Sequence, residues 1–308
     1  LKMSFMNRTP ISLPAAGGRF NERLLRDRGR AREWVARRCR LALANALEAL
    51  SLGHWGPPEP LEHSKVEISL TSWKPRLPEL PLVLLTLIQQ TVRPRAINLW
   101  LSPADIEFLD PQVPELFAPY GLRIRMCDDL RCHKKWLPMV ESGHREPFVI
   151  CDDDIIYPRE WFARLIAESD GDYYAGCKCH RIVREPDGTL APYATWEKQI
   201  TYDGQASHSI FVTGCGGAVI KPMRLREESF SRDEILAKCP NADDVWLKAA
   251  HQASGIPCFK TRYSFPCLEL PGSSAVGLAK TNVSAHGNDV QLANVADMLP
   301  TSPSPRSG

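Results

Sequence analysis

The chain has 308 residues, 44% hydrophobic and 24% charged, enough to bury a sizeable core in one α/β unit with extensions. A formal net charge of +2 excludes a polyelectrolyte that binds nucleic acid through its overall charge. No apolar run reaches the length that spans a bilayer, and Leu1-Lys2-Met3-Ser4 opens no signal-peptide apolar region.

Residues 1–20 carry Pro10, Pro14, Gly17 and Gly18 and read as a loose arm. Helical spacing follows from about Asn21 to Leu52, where Trp34, Val35, Leu41, Leu43, Ala46, Leu47 and Leu50 are expected to form an apolar face. Arg19, Arg23, Arg26, Arg28, Arg30, Arg32, Arg37, Arg38 and Arg40 face only Glu22, Asp27 and Glu33 across this stretch. A solvated helix face accounts for that charge, as does contact with anionic lipid or an acidic partner. His54–Pro60 breaks the helix. Residues 1–60 are therefore expected to be a basic helical extension and linker, 61–299 the main domain, and 300–308 a tail disordered by composition.

In the main domain Val66–Leu70 alternates like a strand. Pro81–Gln90 is apolar at helical spacing, with Pro78 or Pro81 as a start signal. Ala96–Leu101 and Leu122–Met126 read as further strands. Phe148–Cys151 is short and wholly apolar, as expected at a sheet centre. Trp161–Glu168 reads as a helix, Asp172–Cys177 as a strand and Asn241–Ser254 as a helix, while Ile210–Ile220 is an apolar tract interrupted by Gly214, Gly216 and Gly217. Beyond Pro266 the pattern fades. Strands alternating with helices predict an α/β fold with a mostly parallel, doubly wound sheet.

The ten cysteines are scattered, several in apolar runs, which fits buried free thiols in a reducing cytosol better than a disulfide frame. Cys177-Lys178-Cys179-His180 lacks the second ligand pair of a zinc site.

Asp152-Asp153-Asp154 directly follows the Phe148–Cys151 strand, and ligands of open α/β sheets bind beyond the carboxyl ends of strands. Three adjacent carboxylates repel one another unless a cation or strong donors are present. Mn²⁺ or Mg²⁺ takes one or two carboxylates plus phosphate oxygens. In an extended segment the first and third residues share a side, so Asp152 and Asp154 are expected at one ligand, with Asp153 facing away. Asp243-Asp244 sits at a predicted helix start, where a carboxylate also serves as a cap.

Phe148-Val149-Ile150-Cys151-Asp152-Asp153-Asp154-Ile155-Ile156-Tyr157-Pro158 resembles the Asp-x-Asp region of glycosyltransferases with the GT-A fold. Ile68-Ser69-Leu70-Thr71-Ser72-Trp73-Lys74-Pro75-Arg76-Leu77 resembles the first strand and nucleotide loop of bacterial family-2-like members. Gly214–Val219 resembles their acceptor-side glycine segment, and Ala242–Leu247 their late acidic motif. The resemblance covers roughly residues 66–290 and implies a Rossmann-like GT-A domain, a nucleotide-sugar donor (UDP-, GDP- or CMP-linked) and a saccharide or glycolipid acceptor in bacterial surface polysaccharide synthesis. It further implies that Thr71, Ser72 and Arg76 contact the nucleotide, with Lys135 and Asp153 near the donor. Asp154 and Asp152, with His286 as a further ligand, would hold the metal. Asp244, helped by Asp243, would be the base of an inverting transfer. The place of action would be cytoplasmic, peripheral to the inner membrane if the basic helix docks there. The competing readings are a nucleotidyltransferase, although Thr71–Leu77 lacks the expected glycine-rich loop, and a catalytically silent nucleotide-sugar or carbohydrate-binding protein.

Overall fold

Apolar side chains that alternate along short strands set the architecture. The computed structural model describes residues 28–271, 282 and 286–299, and its main sheet has eight strands. These are β1 (Glu67–Thr71), β2 (Ile97–Leu101), β3 (Leu122–Met126), β4 (Phe148–Ile150), β5 (Tyr174–Gly176), β6 (Ala206–Ser207), β7 (Ala218–Ile220) and β8 (Cys258–Lys260). Their order across the sheet is β6-β8-β5-β7-β4-β1-β2-β3. β1 is parallel to β2 and β4, β2 to β3, and β5 to β8. β7 runs antiparallel between β4 and β5, and β6 antiparallel beside β8. The expected α/β fold with a mixed, mostly parallel sheet is therefore present.

The helices that cover this sheet and position its loops are α1 (Arg28–Ser51), α2 (Leu80–Ile88), α3 (Leu137–Glu141), α4 (Trp161–Ala167), α5 (Asp243–Ala253) and α6 (Gly287–Asn294). Successive residues of a strand face opposite sides, and the two sides have separate cores. Val149 and Val219 pack with residues of α1, α2 and α4. Phe148, Ile150, Ala218 and Ile220 pack with residues of α3 and α5. Helices thus cover both faces. Every residue of α2 is buried, and Pro81 lies in its first turn, where its missing N–H costs nothing.

α1 belongs to the same core as β1 and α2. Cys39, Leu43, Ala46 and Leu50, spaced four, three and four apart, form its buried stripe, and burying a leucine side chain contributes about 1.5–3 kcal/mol. Arg40 pairs with Glu79 at 2.7 Å, and Arg32 Nη2 donates to the carbonyl of Cys267 at 2.6 Å. The predicted apolar face is narrower than expected, because Trp34 and Leu41, seven residues apart, lie on the outer side.

The Ile210–Ile220 tract is two strands of different sheets. Ile210–Val212 pairs with Cys179–Arg181, β7 enters the main sheet, and the tight turn Gly214–Gly216 separates them. The predicted loss of pattern after Pro266 is incomplete. Leu268–Glu269 pairs with Ile155–Ile156, and α6 follows. The arm at 1–20 and the tail at 300–308 lie outside the described residues. All ten cysteines are free. No described helix is long and apolar enough to cross a membrane.

Candidate functional site

One edge of the sheet gathers the chemistry. β1 ends at Thr71, β4 at Ile150 and β5 at Gly176, and Ala218, the first residue of reversed β7, lies opposite Ile150 and Gly176. Ser72, Asp152–Asp154, Lys178 and the Gly214–Gly217 loop therefore emerge on the same side, beyond the carboxyl ends of the parallel strands.

Asp153 and Asp154 lie in a turn, so the alternation expected of an extended chain does not apply. Within the triplet, Asp153 and Asp154 share a protein cation, Arg76. Arg76 pairs with Asp153 Oδ1 at 2.6 Å and with Asp154 Oδ2 at 2.9 Å. Ser72 Oγ donates to Asp153 Oδ2 at 2.6 Å. Burial raises the pKa of Asp153 despite Arg76. Burial and the adjacent Asp153 push Asp154 up to about 8 against the same guanidinium. Arg76 Nε is buried without a partner among the described residues, an open donor beside the turn.

Asp152 belongs to a second arrangement. Lys135 Nζ lies 2.7 Å from Asp152 Oδ1 and 2.8 Å from Asp243 Oδ2, joining the turn after β4 to the first turn of α5. Burial opposes the charge on Asp152, but Lys135 outweighs it and holds the carboxyl below its usual range. Asp244, one residue on, accepts from the backbone N–H of Gly214 at 2.8 Å. Burial and the neighbouring Asp243 raise Asp244 well above the ordinary carboxylate value, with Lys135 pulling the other way. A Cβ on Gly214 would meet Lys135 Nζ at 2.9 Å and Asp244 Oδ1 at 3.0 Å, so a larger residue would displace the ends of both side chains. Lys134 is a separate structure: buried, it pairs with Asp105 at 2.9 Å and Asp129 at 3.3 Å.

The residues fit a divalent ion in one limited way. Asp152 and Asp154 each use one oxygen on a protein cation, leaving a second hard oxygen, and among the described residues the five carboxylates form ion pairs with Lys135 and Arg76 alone. Among the described residues no three His, Cys, Asp or Glu side chains form a ready metal cage. Two carboxylates completed by phosphate oxygens match how Mg²⁺ and Mn²⁺ are held.

Not every expected residue joins the cleft. His286 stands exposed before α6, with Nδ1 3.2 Å from Asp289 Oδ2, and makes no hydrogen bond or ion pair with the acidic turn. Thr71 Oγ1 donates to the carbonyl of Trp100 at 2.8 Å, tying β1 to β2.

Tyr157 adds a role that its sequence context does not suggest. Its hydroxyl accepts from the Asp152 N–H at 2.9 Å and donates to the Cys215 carbonyl at 3.2 Å. The motif contains this tyrosine, but its second partner lies 58 residues away and leaves no local signal.

No protein-family model and no curated protein matches this chain. Solved structures similar to it include 2-C-methyl-D-erythritol 4-phosphate cytidylyltransferase from Thermus thermophilus, at 14% identity and TM-score 0.40, covering 72% of this chain and 100% of that one. Another is the inositol-1-phosphate CTP transferase from T. maritima, at 10% identity and TM-score 0.39, covering 79% and 98%. A third is UDP-glucose pyrophosphorylase complexed with UDP-glucose, at 7% identity and TM-score 0.38, covering 76% and 98%. Likenesses this distant assign no activity to the chain.

Proposed function

We propose that this cleft is the active site of a metal-dependent glycosyltransferase that moves a sugar from a nucleotide-sugar donor to an acceptor hydroxyl with inversion. One observation carries the reading. Lys135 touches both Asp152 and Asp243, so the carboxylates suited to a metal-bound diphosphate and those suited to proton transfer share one cleft, a single ammonium apart.

Asp152 and Asp154 are the residues that would hold Mn²⁺ or Mg²⁺, which supplies positive charge to the leaving diphosphate when bound. Arg76, with its open Nε, offers a donor to a phosphate oxygen. The acceptor oxygen forms its bond to the anomeric carbon as the bond to the diphosphate breaks. Asp244 takes the hydroxyl proton, and its raised proton affinity suits that task. Lys135 positions both acidic groups. Residues 61–299 would form the catalytic domain, acting on a saccharide or glycolipid acceptor.

A thermal-shift panel of UDP, GDP and CMP with and without Mn²⁺ tests the first half. Stabilisation by a nucleotide only when Mn²⁺ is present is the expected result, and its absence removes the reading. In calorimetry, Asp154→Ala is expected to abolish that Mn²⁺ dependence; unchanged affinity would take Asp154 out of the metal site. Asp244→Asn is expected to keep nucleotide binding and lower turnover by about 10²–10⁴-fold; near-normal turnover would remove the base. Release of pyrophosphate from a nucleoside triphosphate and a sugar phosphate, without glycosyl transfer, would establish a nucleotidyltransferase instead.

A further inference from the structure

Beside the carboxylates, the Gly214–Gly216 turn carries a second kind of chemistry. Cys215 is half-buried, and its Sγ lies 3.3 Å from Lys178 Nζ and 3.6 Å from Thr213 Oγ1. Cys267 closes the group, its Sγ donating to the Cys215 carbonyl oxygen at 3.7 Å. Among the described residues no carboxylate pairs with Lys178, so its ammonium faces sulfur. A cation beside a thiol favours the thiolate, which is the nucleophilic form.

The other cysteines give the contrast. Burial raises Cys39, Cys127, Cys132, Cys151, Cys177, Cys179, Cys239 and Cys258. Cys215 goes the other way, pulled down to about 6 by the neighbouring Cys267 thiol and by Lys178, against burial and the charge of Asp152. Cys267 moves up as its partner carries the charge.

We propose that Cys215 is a peroxide-reactive thiolate and that Cys267 is its resolving thiol, so that oxidation closes a Cys215–Cys267 disulfide at the edge of the cleft. In the first step the Cys215 sulfur attacks one oxygen of a hydroperoxide. The S–O bond forms, the O–O bond breaks, and the departing oxygen leaves as hydroxide or alkoxide and takes a proton. Sulfur is thereby oxidised to the sulfenic acid. In the second step Cys267 gives up its proton and attacks Cys215 Sγ. The S–S bond forms, the S–O bond breaks, and hydroxide leaves with that proton as water. The two thiols supply the two electrons that reduce the peroxide.

The location makes the modification consequential. The Cys215 carbonyl accepts from Tyr157, whose hydroxyl also holds the Asp152 N–H. Cys267 directly precedes Leu268–Glu269, the strand paired with Ile155–Ile156 just after the acidic turn. A disulfide here would link the glycine turn to the strand beside Asp154.

The test uses the full reduced chain, timed iodoacetamide labelling between pH 5 and pH 9, and peptide mass spectrometry. Cys215 is expected to label first, with a midpoint near about 6. Lys178→Met is expected to slow its labelling at neutral pH about tenfold. After hydrogen peroxide, the expected product is a linked Cys215–Cys267 peptide; in Cys267→Ser it is a dimedone adduct on Cys215. The proposal is overturned if Cys215 labels no faster than the other half-buried thiols, Cys127 and Cys132. It is equally overturned if its labelling follows an ordinary thiol midpoint, or if peroxide leaves it unlinked to Cys267. The wild-type pH profile decides the matter even if a variant fails to fold, and none of these readouts depends on glycosyl transfer.

Discussion

The two acidic groups of the cleft are built differently. Asp153 and Asp154 share one guanidinium and lie in a turn behind Ser72 and Arg76. Asp243 and Asp244 start a helix and divide their partners, with Asp243 on Lys135 and Asp244 on the backbone N–H of Gly214. The first group is clamped by side chains from a distant strand end. The second is presented by a helix terminus, where the macrodipole already favours negative charge. A clamped carboxylate keeps its position and holds a ligand. Burial raises the proton affinity in both groups, so what separates Asp244 is its backbone donor in place of a contacting cation.

Lys135 is the point at which this contrast can be broken outright. Lys135→Met leaves Asp152 and Asp243 without their buried cation and is expected to cost about 3–5 kcal/mol in urea unfolding; a loss below about 1 kcal/mol would show that the two groups do not depend on it. Ser72→Ala touches only the clamped group, removing a buried hydrogen bond to a charged partner. It is expected to cost about 1.5–3 kcal/mol while leaving unmoved the pH dependence of turnover, which on the proposed mechanism reports on Asp244.

The pH dependence of stability sharpens the contrast further. Asp154 titrates near 8 when folded and near about 3.9 when unfolded. The folded state therefore holds the proton more tightly. Its contribution is fully present below the unfolded value and is lost as pH rises through the folded one, at up to about 1.4 kcal/mol per pH unit. In a chelator, unfolding free energy is expected to fall between pH 5 and pH 8, and Asp154→Asn to flatten that fall. An unchanged slope in the variant would place the titration elsewhere.

Much of the fold was legible because its first half is built from local signals. β1 to β4 are short strands of alternating or continuous apolar pattern, and each lies parallel to a neighbour. The second half is less legible. β7 runs backwards between β4 and β5, and Leu268–Glu269 is two residues long and pairs with a segment more than a hundred positions earlier. Strands that short carry little periodicity, and their partners are set by tertiary packing. For the site, the residue types at Asp152–Asp154, Lys135 and Asp243-Asp244 were readable, but their pairing was not. The turn at Asp153 puts Asp153 and Asp154 on Arg76, and Tyr157 and Cys215 make contacts that no local spacing encodes.

The attachment of α1 has a consequence in time. Its arginine Arg40 meets Glu79, 39 residues later, whereas Arg32 reaches the carbonyl of Cys267, 235 residues later. At about 5–20 residues per second, a ribosome takes on the order of 10–50 s to supply the second partner after the first helix has been made. The helix can settle against α2 early and must then wait, with the part of its surface reserved for Cys267 still uncovered, until that residue has been made. One helix thus takes part in both an early and a late step of assembly, and the late step fastens the strand that lies beside the acidic turn.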